Sequence, residues 1–469
     1  MNKKCQVFTP ANYVNELLNN VNYSKNLYGK KILENSCGDG NILFAIVQRY
    51  IDDCKKQGYS ITKIRNGLTR DIHGIEIDPI QYEKCIKRLN ELAEINGIKS
   101  VTWDITNEDY LKKNDKAKYQ YIIGNPPYIT YQEMEEENQK YLKKNFISCK
   151  KGKFDYCYAF IEKSINSLDV NGRMAYVVPS SIFKTVYGDT LRNIMMPYML
   201  KIIDYTYEKI FDNALVKSSI VILHANNQKG ILHYIDRSNN KNLFLATNSF
   251  GNKWFFTEKS NDGNRRFGDY FKVSHAVATL LNKAFVLKEG TYKECNNFYI
   301  CNGHRIEKKI VKDTASPRSL RYNKKEKIIF PYYYIKGQVN RYKEEEFVKF
   351  FPGANSYLSD YLKQLNDRKS DENTKWYEYG RSQALAGLNT DKLLISTVIT
   401  SEVAVYLLPP DYIPYAGMYI TAKNTVVTIN EAIKILQEKK FMQYVMEVGI
   451  PISGSSFRIT SKDIEDYRF

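Results

Sequence analysis

The first half of the chain alternates short apolar runs with longer segments in which apolar residues recur every three or four positions, as strands and amphipathic helices do. After Phe8-Thr9-Pro10, the residues Tyr13, Val14, Leu17 and Leu18 mark one helical face, with Thr9 suited to cap the helix and Pro10 to open it. Lys31 to Leu33 reads as a buried strand, Glu34 to Gly40 as a tight loop, and Leu43, Ile46, Val47, Tyr50, Ile51 and Cys54 as one face of a helix. A second strand is expected in DIHGIEIDP, where Ile72, Ile75 and Ile77 are spaced around Gly74 and Glu76. Asp78 then caps a helix opened by Pro79, with Tyr82, Cys85, Ile86, Leu89, Leu92 and Ala93 on one face and an end near Gly97. SVTWDI suggests a third strand and Tyr121 to Ile123 a fourth. Repeated strand-loop-helix units predict an α/β fold built on a doubly wound, mostly parallel sheet.

Beyond the fourth strand, EMEEENQKYLKKN reads as a charged, solvated face, and Tyr156 to Leu168 as a helix closed by Asn171-Gly172. MAYVVPSSIF predicts a strand, and KIIDYTYEKIF with SSIVILHAN a strand pair, with Phe211 at the end of its first member and Val216 in the loop between them. From Asn226 the periodicity fades, and NNQKG and DRSNNKN read as a passage between domains. The expected division is 1–230 for the first domain and 231–469 for a second, C-terminal α+β domain, with no internal repeat.

At 469 residues the chain is long enough for two domains with separate cores. Its 69 Lys and Arg against 52 Asp and Glu, a formal charge of +17, point to a polyanionic partner. Part of that excess has another source, because the abundance of Asn, Ile and Tyr is what an AT-rich coding sequence produces. The eight cysteines (Cys5, Cys37, Cys54, Cys85, Cys149, Cys157, Cys295 and Cys301) form no CxxC pair, and only five His are present. Neither a zinc site nor a disulfide framework is expected, and a reducing cytoplasm, bacterial or archaeal, fits. MNKKCQVFTP lacks an apolar signal core and no stretch has the length of a membrane span, so no membrane association is expected.

Candidate chemistry gathers where the strands end. In a doubly wound sheet ligands bind outside the carboxyl ends of the strands, and Glu34, Gly38, Glu76, Asp109 and Asn125 all fall at such ends. Gly38 and Gly40, between a strand and a helix N-terminus, let a backbone approach a nucleotide closely. Leu43 stands where a dinucleotide fingerprint needs its third glycine, so NAD and FAD are not expected. Glu76 is placed to accept the hydroxyls of a ribose, Asp109 an adenine amino group, and Tyr110 to stack on the ring; for Glu76 the plain alternative is a loop carboxylate facing water. Asn125-Pro126-Pro127-Tyr128 follows the fourth strand at Gly124. The Asn125 amide oxygen and the Pro126 carbonyl could accept the two N–H bonds of an exocyclic amine, whose lone pair is otherwise delocalised into its ring. Proline fixes φ and holds the residue before it extended, so such a turn is stiff in advance. Tyr128 adds a face on which an unstacked base could rest. The alternative is a turn that only ends a strand.

In this order the motifs resemble the DNA adenine-N6 methyltransferases of restriction–modification systems, specifically the Taq-like γ class, over roughly Phe8 to Leu223. The resemblance implies a Rossmann-like class I methyltransferase domain followed by a target-recognition domain, with S-adenosyl-L-methionine as methyl donor and an adenine flipped from double-stranded DNA as acceptor. Carried onto this chain, it implies that Thr9, Glu34, Ser36, Gly38, Gly40, Glu76, Asp109, Tyr110 and Phe160 line the cofactor. Asn125, Pro126, Pro127 and Tyr128 would be catalytic, with Tyr128 and Phe211 packing on the flipped base. No metal is implied. The glycine loop reads ENSCGDGN where many methyltransferases carry a fuller glycine series, and Cys37 is not in the Pro-Cys context of cytosine carbon-5 chemistry. Related motifs also serve cytosine-N4, ribosomal RNA guanine and protein glutamine transfer; asparagine at position 125 favours adenine over cytosine-N4.

The second half mixes basic, aromatic and small polar residues, as in PYYYIKGQVNRY, KWYEYGRSQ and SGSSFRITSKDIEDYRF. Lys336, Arg341, Lys375, Arg381 and Arg458 are the candidates for phosphate or base contact, with a solvated surface charge as the alternative for each. ExK triplets at Glu307-Lys308-Lys309 and Glu438-Lys439-Lys440 lack a paired upstream acid, so a stand-alone monomeric methylase is expected rather than a fused nuclease. A cognate restriction endonuclease would act on the same site without a stable complex. From another class, the chain could be a nucleic-acid-binding protein that kept the fold and lost activity.

Overall fold

The computed structural model describes residues 9–114, 116–206, 217–227, 230–256, 263–452 and 455–469. The chain divides into two compact units, Met1–Thr257 with Ile450–Gly454, and Glu258–Gly449 with Ser455–Phe469.

The first unit is built on a nine-stranded sheet. Its elements in chain order are α1 (Ala11–Asn20), β1 (Ile32–Glu34), α2 (Asn41–Lys56), α3 (Ile61–Asp71), β2 (Ile72–Glu76), α4 (Pro79–Ile95), β3 (Asp104–Asn107) and β4 (Tyr119–Gly124). They continue with α5 (Glu136–Asn145), α6 (Cys157–Ser167), β5 (Leu168–Pro179), α7 (Asp189–Met195), β6 (Met199–Asp204), β7 (Ser218–His224), β8 (Ile231–Asp236) and β9 (Lys241–Ala246). The strand order is β3-β2-β1-β4-β5-β7-β6-β8-β9. The first five strands run parallel, and β7 lies antiparallel between β5 and β6.

Alternation along the strands separates two cores. Ile32, Tyr121, Ile123, Ala175 and Val177 face one layer, with Val14, Leu17, Ile46, Leu68 and Leu89 of α1 to α4. Leu33, Ile122, Met174, Tyr176 and Val178 face the other, with Leu142, Ile161 and Leu191 of α5 to α7. Successive residues of a strand point to opposite faces, so both layers come from one pattern. Tyr119 and Tyr121 should share a face but lie in different cores, because the register shifts between them. The doubly wound, mostly parallel sheet expected from the sequence is therefore observed.

Several boundaries move. The third strand is Asp104–Asn107, later than SVTWDI suggests, and α3, from Ile61 to Asp71, was not signalled by the periodicity noted above. The charged EMEEENQKYLKKN segment contains α5, which buries Leu142. The expected division at residue 230 falls inside the sheet. β8 pairs with β6, β9 pairs with β8, and DRSNNKN is the turn between them, with Asn240 at φ 53°. The alternating burial of Leu232, Tyr234 and Asp236 gives β8 a face to add to the sheet. Phe211 and Val216 lie outside the described residues.

The second unit is α+β. One four-stranded sheet joins Phe271–His275, Met418–Ala422, Lys392–Ile395 and Val405–Leu408, with Ile429–Gln437 and Lys439–Val448 contributing Leu436, Phe441 and Val445 to its core. Around a second, Tyr- and Phe-rich core lie three smaller sheets, among them the two-stranded ribbon Tyr332–Ile335 and Gln338–Arg341.

Candidate functional site

The strand order reverses between β1 and β4, which pair with each other while the loops after them part to opposite sides. Such a point leaves a crevice at the carboxyl ends of the strands. β1 ends there in Glu34 and β4 in Gly124, so the glycine loop and the Asn-Pro-Pro-Tyr turn open side by side. The Ser36 hydroxyl donates to the Asn125 carbonyl at 3.3 Å and fastens one loop to the other.

Gly38 and Gly40 have φ of 54° and 85°, a region that costs other residues energy. A Cβ on Gly40 would also lie 2.7 Å from the Cys85 sulfur of α4. Gly40 immediately precedes α2, so the N-terminal amides of that helix are turned to the crevice. The loop is held from β2: Glu76 accepts from the Gly38 amide at 2.7 Å and from the Asp78 amide at 2.8 Å. Burial is the main cause that raises the Glu76 pKa, and these amides oppose it. Each of its oxygens keeps a further lone pair for a hydroxyl.

Glu34 is 2% exposed, its Oε2 has no hydrogen-bond partner among the described residues, and burial pushes its pKa well up. A buried acceptor of this kind fits a cationic donor, which would favour its ionised form. Asn35, 1% exposed, donates to the Tyr176 hydroxyl and, at 2.9 Å, to the Ser164 hydroxyl. Ser164 in turn meets the Tyr110 hydroxyl at 3.1 Å. The Tyr110 ring lies 5.3 Å from that of Phe160, and Phe160 5.7 Å from that of Tyr156, forming an aromatic wall after β3 and on α6. Asp109 accepts from the Leu111 amide at 2.9 Å, beside this wall.

Thr9 does not cap α1. The N-cap position belongs to Pro10, and Thr9 turns the other way, its carbonyl accepting from the Asn41 amide and its hydroxyl from the Asn125 amide nitrogen at 3.3 Å. Pro126 is buried, while Asn125, Pro127 and Tyr128 are half-buried, and Tyr128 packs against both cores of the sheet. Burial raises the Tyr128 pKa far above its ordinary value, so the ring is a neutral phenol.

The structure thus brings Thr9, Glu34, Ser36, Gly38, Gly40, Glu76, Asp109, Tyr110, Asn125, Pro126, Pro127, Tyr128 and Phe160 to the strand ends and the loops and helices that adjoin them. Phe211 lies outside the described residues. Asn35, Tyr156 and Ser164 were not singled out in the sequence. Asn35 had a signal in its place inside the glycine loop, whereas Ser164 had none, since a small polar residue in a helix marks nothing by itself. Ile77, exposed directly after Glu76, also lies at this edge although the sequence pattern assigned it to the strand.

In the second unit, Arg341 pairs with Glu378 at 3.3 Å and Arg381 with Asp371 at 2.7 Å, so both are engaged within the protein. Lys336 is exposed at the ribbon turn with φ 49°, and no carboxylate pairs with it among the described residues. Lys375 and Arg458 are exposed, the latter in a strand opposite Val398. Among the described residues no group of three or more His, Cys, Asp or Glu could hold a metal ion, and no helix is long and apolar enough to cross a membrane.

Residues 48–211 match the Eco57I restriction-modification methylase family. The chain is 24% identical over 492 aligned positions to the type II restriction enzyme and methyltransferase RM.Eco57I of Escherichia coli, covering 84% of this chain and 49% of that protein. It is 29% identical to the type II methyltransferase M.AccI of Acinetobacter calcoaceticus, covering 48% of this chain and 46% of that protein. The chain therefore spans about half the length of these curated relatives. Among solved structures, that of the type IIL restriction-modification enzyme MmeI in complex with DNA superimposes with a TM-score of 0.61 at 14% identity, over 97% of this chain and 64% of that one. The likeness extends through both units as a likeness of fold.

Proposed function

We propose, from the premise that residues 48–211 place this chain in the Eco57I-type restriction-modification methylase family, that it is a site-specific DNA methyltransferase acting on the N6 amine of adenine. The first unit would carry out the transfer and the second would read double-stranded DNA. The observation that carries this reading is the Asn125 amide, whose nitrogen is held by Thr9 so that its oxygen is presented the other way.

S-adenosyl-L-methionine fits the crevice, and when bound it supplies an electrophilic methyl on a sulfonium. Glu34, with its buried and unpartnered oxygen, would accept from the cationic methionine end, Gly38 and Gly40 would let the backbone come close, and Glu76 would accept the ribose hydroxyls. Asp109 would accept the cofactor's adenine amine beside the wall of Tyr110, Tyr156 and Phe160. The neutral face of Tyr128 would stack on the flipped base, whose stacking is worth about 1–3 kcal/mol. The Asn125 side-chain oxygen and the Pro126 carbonyl would accept the two N–H bonds of the target amine and localise its lone pair. The N6–C bond forms as the S–C bond breaks, and the proton leaves N6 to solvent once nitrogen has become acidic. Positioning and aligned acceptors supply the acceleration, without a strong general base. A cognate endonuclease acting on the same site would complete the system.

The test is to incubate the protein with methyl-labelled S-adenosyl-L-methionine and unmethylated bacterial genomic DNA, digest to nucleosides and separate them. Label in N6-methyladenosine is expected. Label in N4-methylcytosine would keep the mechanism and change the base, and label found only in RNA or protein, or none at all, would overturn the reading.

A further inference from the structure

Directly after the Asn-Pro-Pro-Tyr turn, the chain runs beside the segment that starts α6. Thr130 forms an antiparallel bridge with Asp155, and the Tyr156 amide donates to the Ile129 carbonyl at 2.9 Å. The Asp155 carboxylate lies at this crossing. It accepts from the Cys157 amide at 3.0 Å, and also from the Ile129 amide and the Cys157 thiol. One side chain therefore holds two pieces of the site. Ile129 follows Tyr128, the face proposed for the flipped base, and Cys157 opens the helix whose Phe160, with Tyr156, forms the wall proposed for the cofactor's adenine.

We propose that Asp155 is a positioning residue, a carboxylate clamp that fixes the Asn125–Tyr128 turn against the start of α6 so that amine and methyl donor are held in one register. What it positions rests on the reading under Proposed function, whereas the clamp itself rests on the contacts just given. Stability alone does not account for an acid here. Burial raises the Asp155 carboxyl pKa to about 6, with Glu133 adding repulsion, so keeping it ionised works against the fold. A group whose folded pKa lies above its unfolded value is bound to more protons in the fold, and its protonation on acidification favours the folded state. Protonation removes one acceptor from the clamp at the same time. The titratable groups that face it are Glu133 on the turn, Tyr128, Cys149, and Cys157 and Tyr158 on α6, and their ordinary pKa values or upward shifts leave Asp155 and Glu133 to carry the charge near neutrality.

The test compares wild type with Asp155→Asn, full length. Asparagine keeps the shape but offers an N–H where one backbone amide needs an acceptor. Hydrogen exchange at Ile129 and Cys157 should accelerate in the variant at pH 7.5, while the melting temperature stays level or rises. Single-turnover transfer to genomic DNA should slow by about tenfold, the scale of one charge-assisted hydrogen bond, with the KM for S-adenosyl-L-methionine changed much less. Wild-type rate should fall as pH drops through about 6 and the variant's should not. Unchanged exchange at both amides, or a rate loss matched by loss of fold, overturns the proposal. Should wild type put no label into DNA, the functional reading fails and the exchange comparison still decides the clamp.

Discussion

The Asn125 side chain donates its amide nitrogen to the hydroxyl of Thr9, 3.3 Å away and 116 residues earlier in the chain. An amide can be turned by half a revolution with little change in shape, so a fixed donor contact decides which end faces the reaction. Thr9→Val preserves bulk and removes the acceptor. The expected result is a single-turnover rate lower by roughly fivefold, the worth of one hydrogen bond of about 1 kcal/mol, with cofactor affinity measured by calorimetry unchanged.

Asn125→Ala should abolish transfer while leaving cofactor binding largely intact. A parallel loss of both, seen in equilibrium binding and labelling together, would contradict the role given to its oxygen. Tyr128→Ala should weaken the hold on the flipped base by about 1–3 kcal/mol, read as a higher DNA Kd.

Gly40→Ala combines two costs. A left-handed φ of 85° disfavours alanine by about 1–2 kcal/mol, and the new methyl would stand 2.7 Å from the Cys85 sulfur. A lower Tm and weaker cofactor binding are expected. Adding Cys85→Ala should recover the part due to collision and leave the part due to φ, which a denaturant titration of both variants separates.

Lys392 is fully buried in the second unit and donates to the carbonyls of Pro409 at 2.7 Å and Tyr412 at 3.1 Å. Burial lowers its pKa to about 8. Between about pH 8 and the ordinary lysine value, the unfolded chain binds more protons than the fold, so this group's contribution to stability grows with pH across that window. Lys392→Met should remove that slope from the Tm-versus-pH curve. It should also destabilise by about 1–3 kcal/mol, because buried carbonyls lose their donor.

Much of the first unit was legible because its elements follow two periods that rarely coincide. The α2 face from Leu43 to Cys54 and the α4 face from Tyr82 to Ala93 were readable since each helix buries one stripe and solvates the other. The strand ends, and with them Glu34, Glu76 and Asn125, followed from those helices. Thr9 misled because threonine before proline is a good cap anywhere, and only the sheet shows that Asn125 competes for its hydroxyl. Residue 230 looked like a boundary because Asn, Gly and Lys cluster there, yet β8 and β9 continue the sheet beyond it. Asn35 and Ser164 lie 129 positions apart, and their contact is a tertiary fact with no local sign. The basic candidates of the second half were hardest to read, since whether an arginine is free depends on a distant acid such as Glu378 or Asp371.

The placing of β7 between β5 and β6 sets a timetable for synthesis. β6 pairs only with β7 and β8, both made after it, and among the strands already made β5 has β4 alone. A nascent chain that has emerged as far as Asp204 therefore holds a completed apolar strand with nowhere to dock. Until Ser218–His224 follows from the ribosome, that strand and the open flank of β5 are exposed together. A pause in translation across this interval would be the moment at which the protein most needs a chaperone.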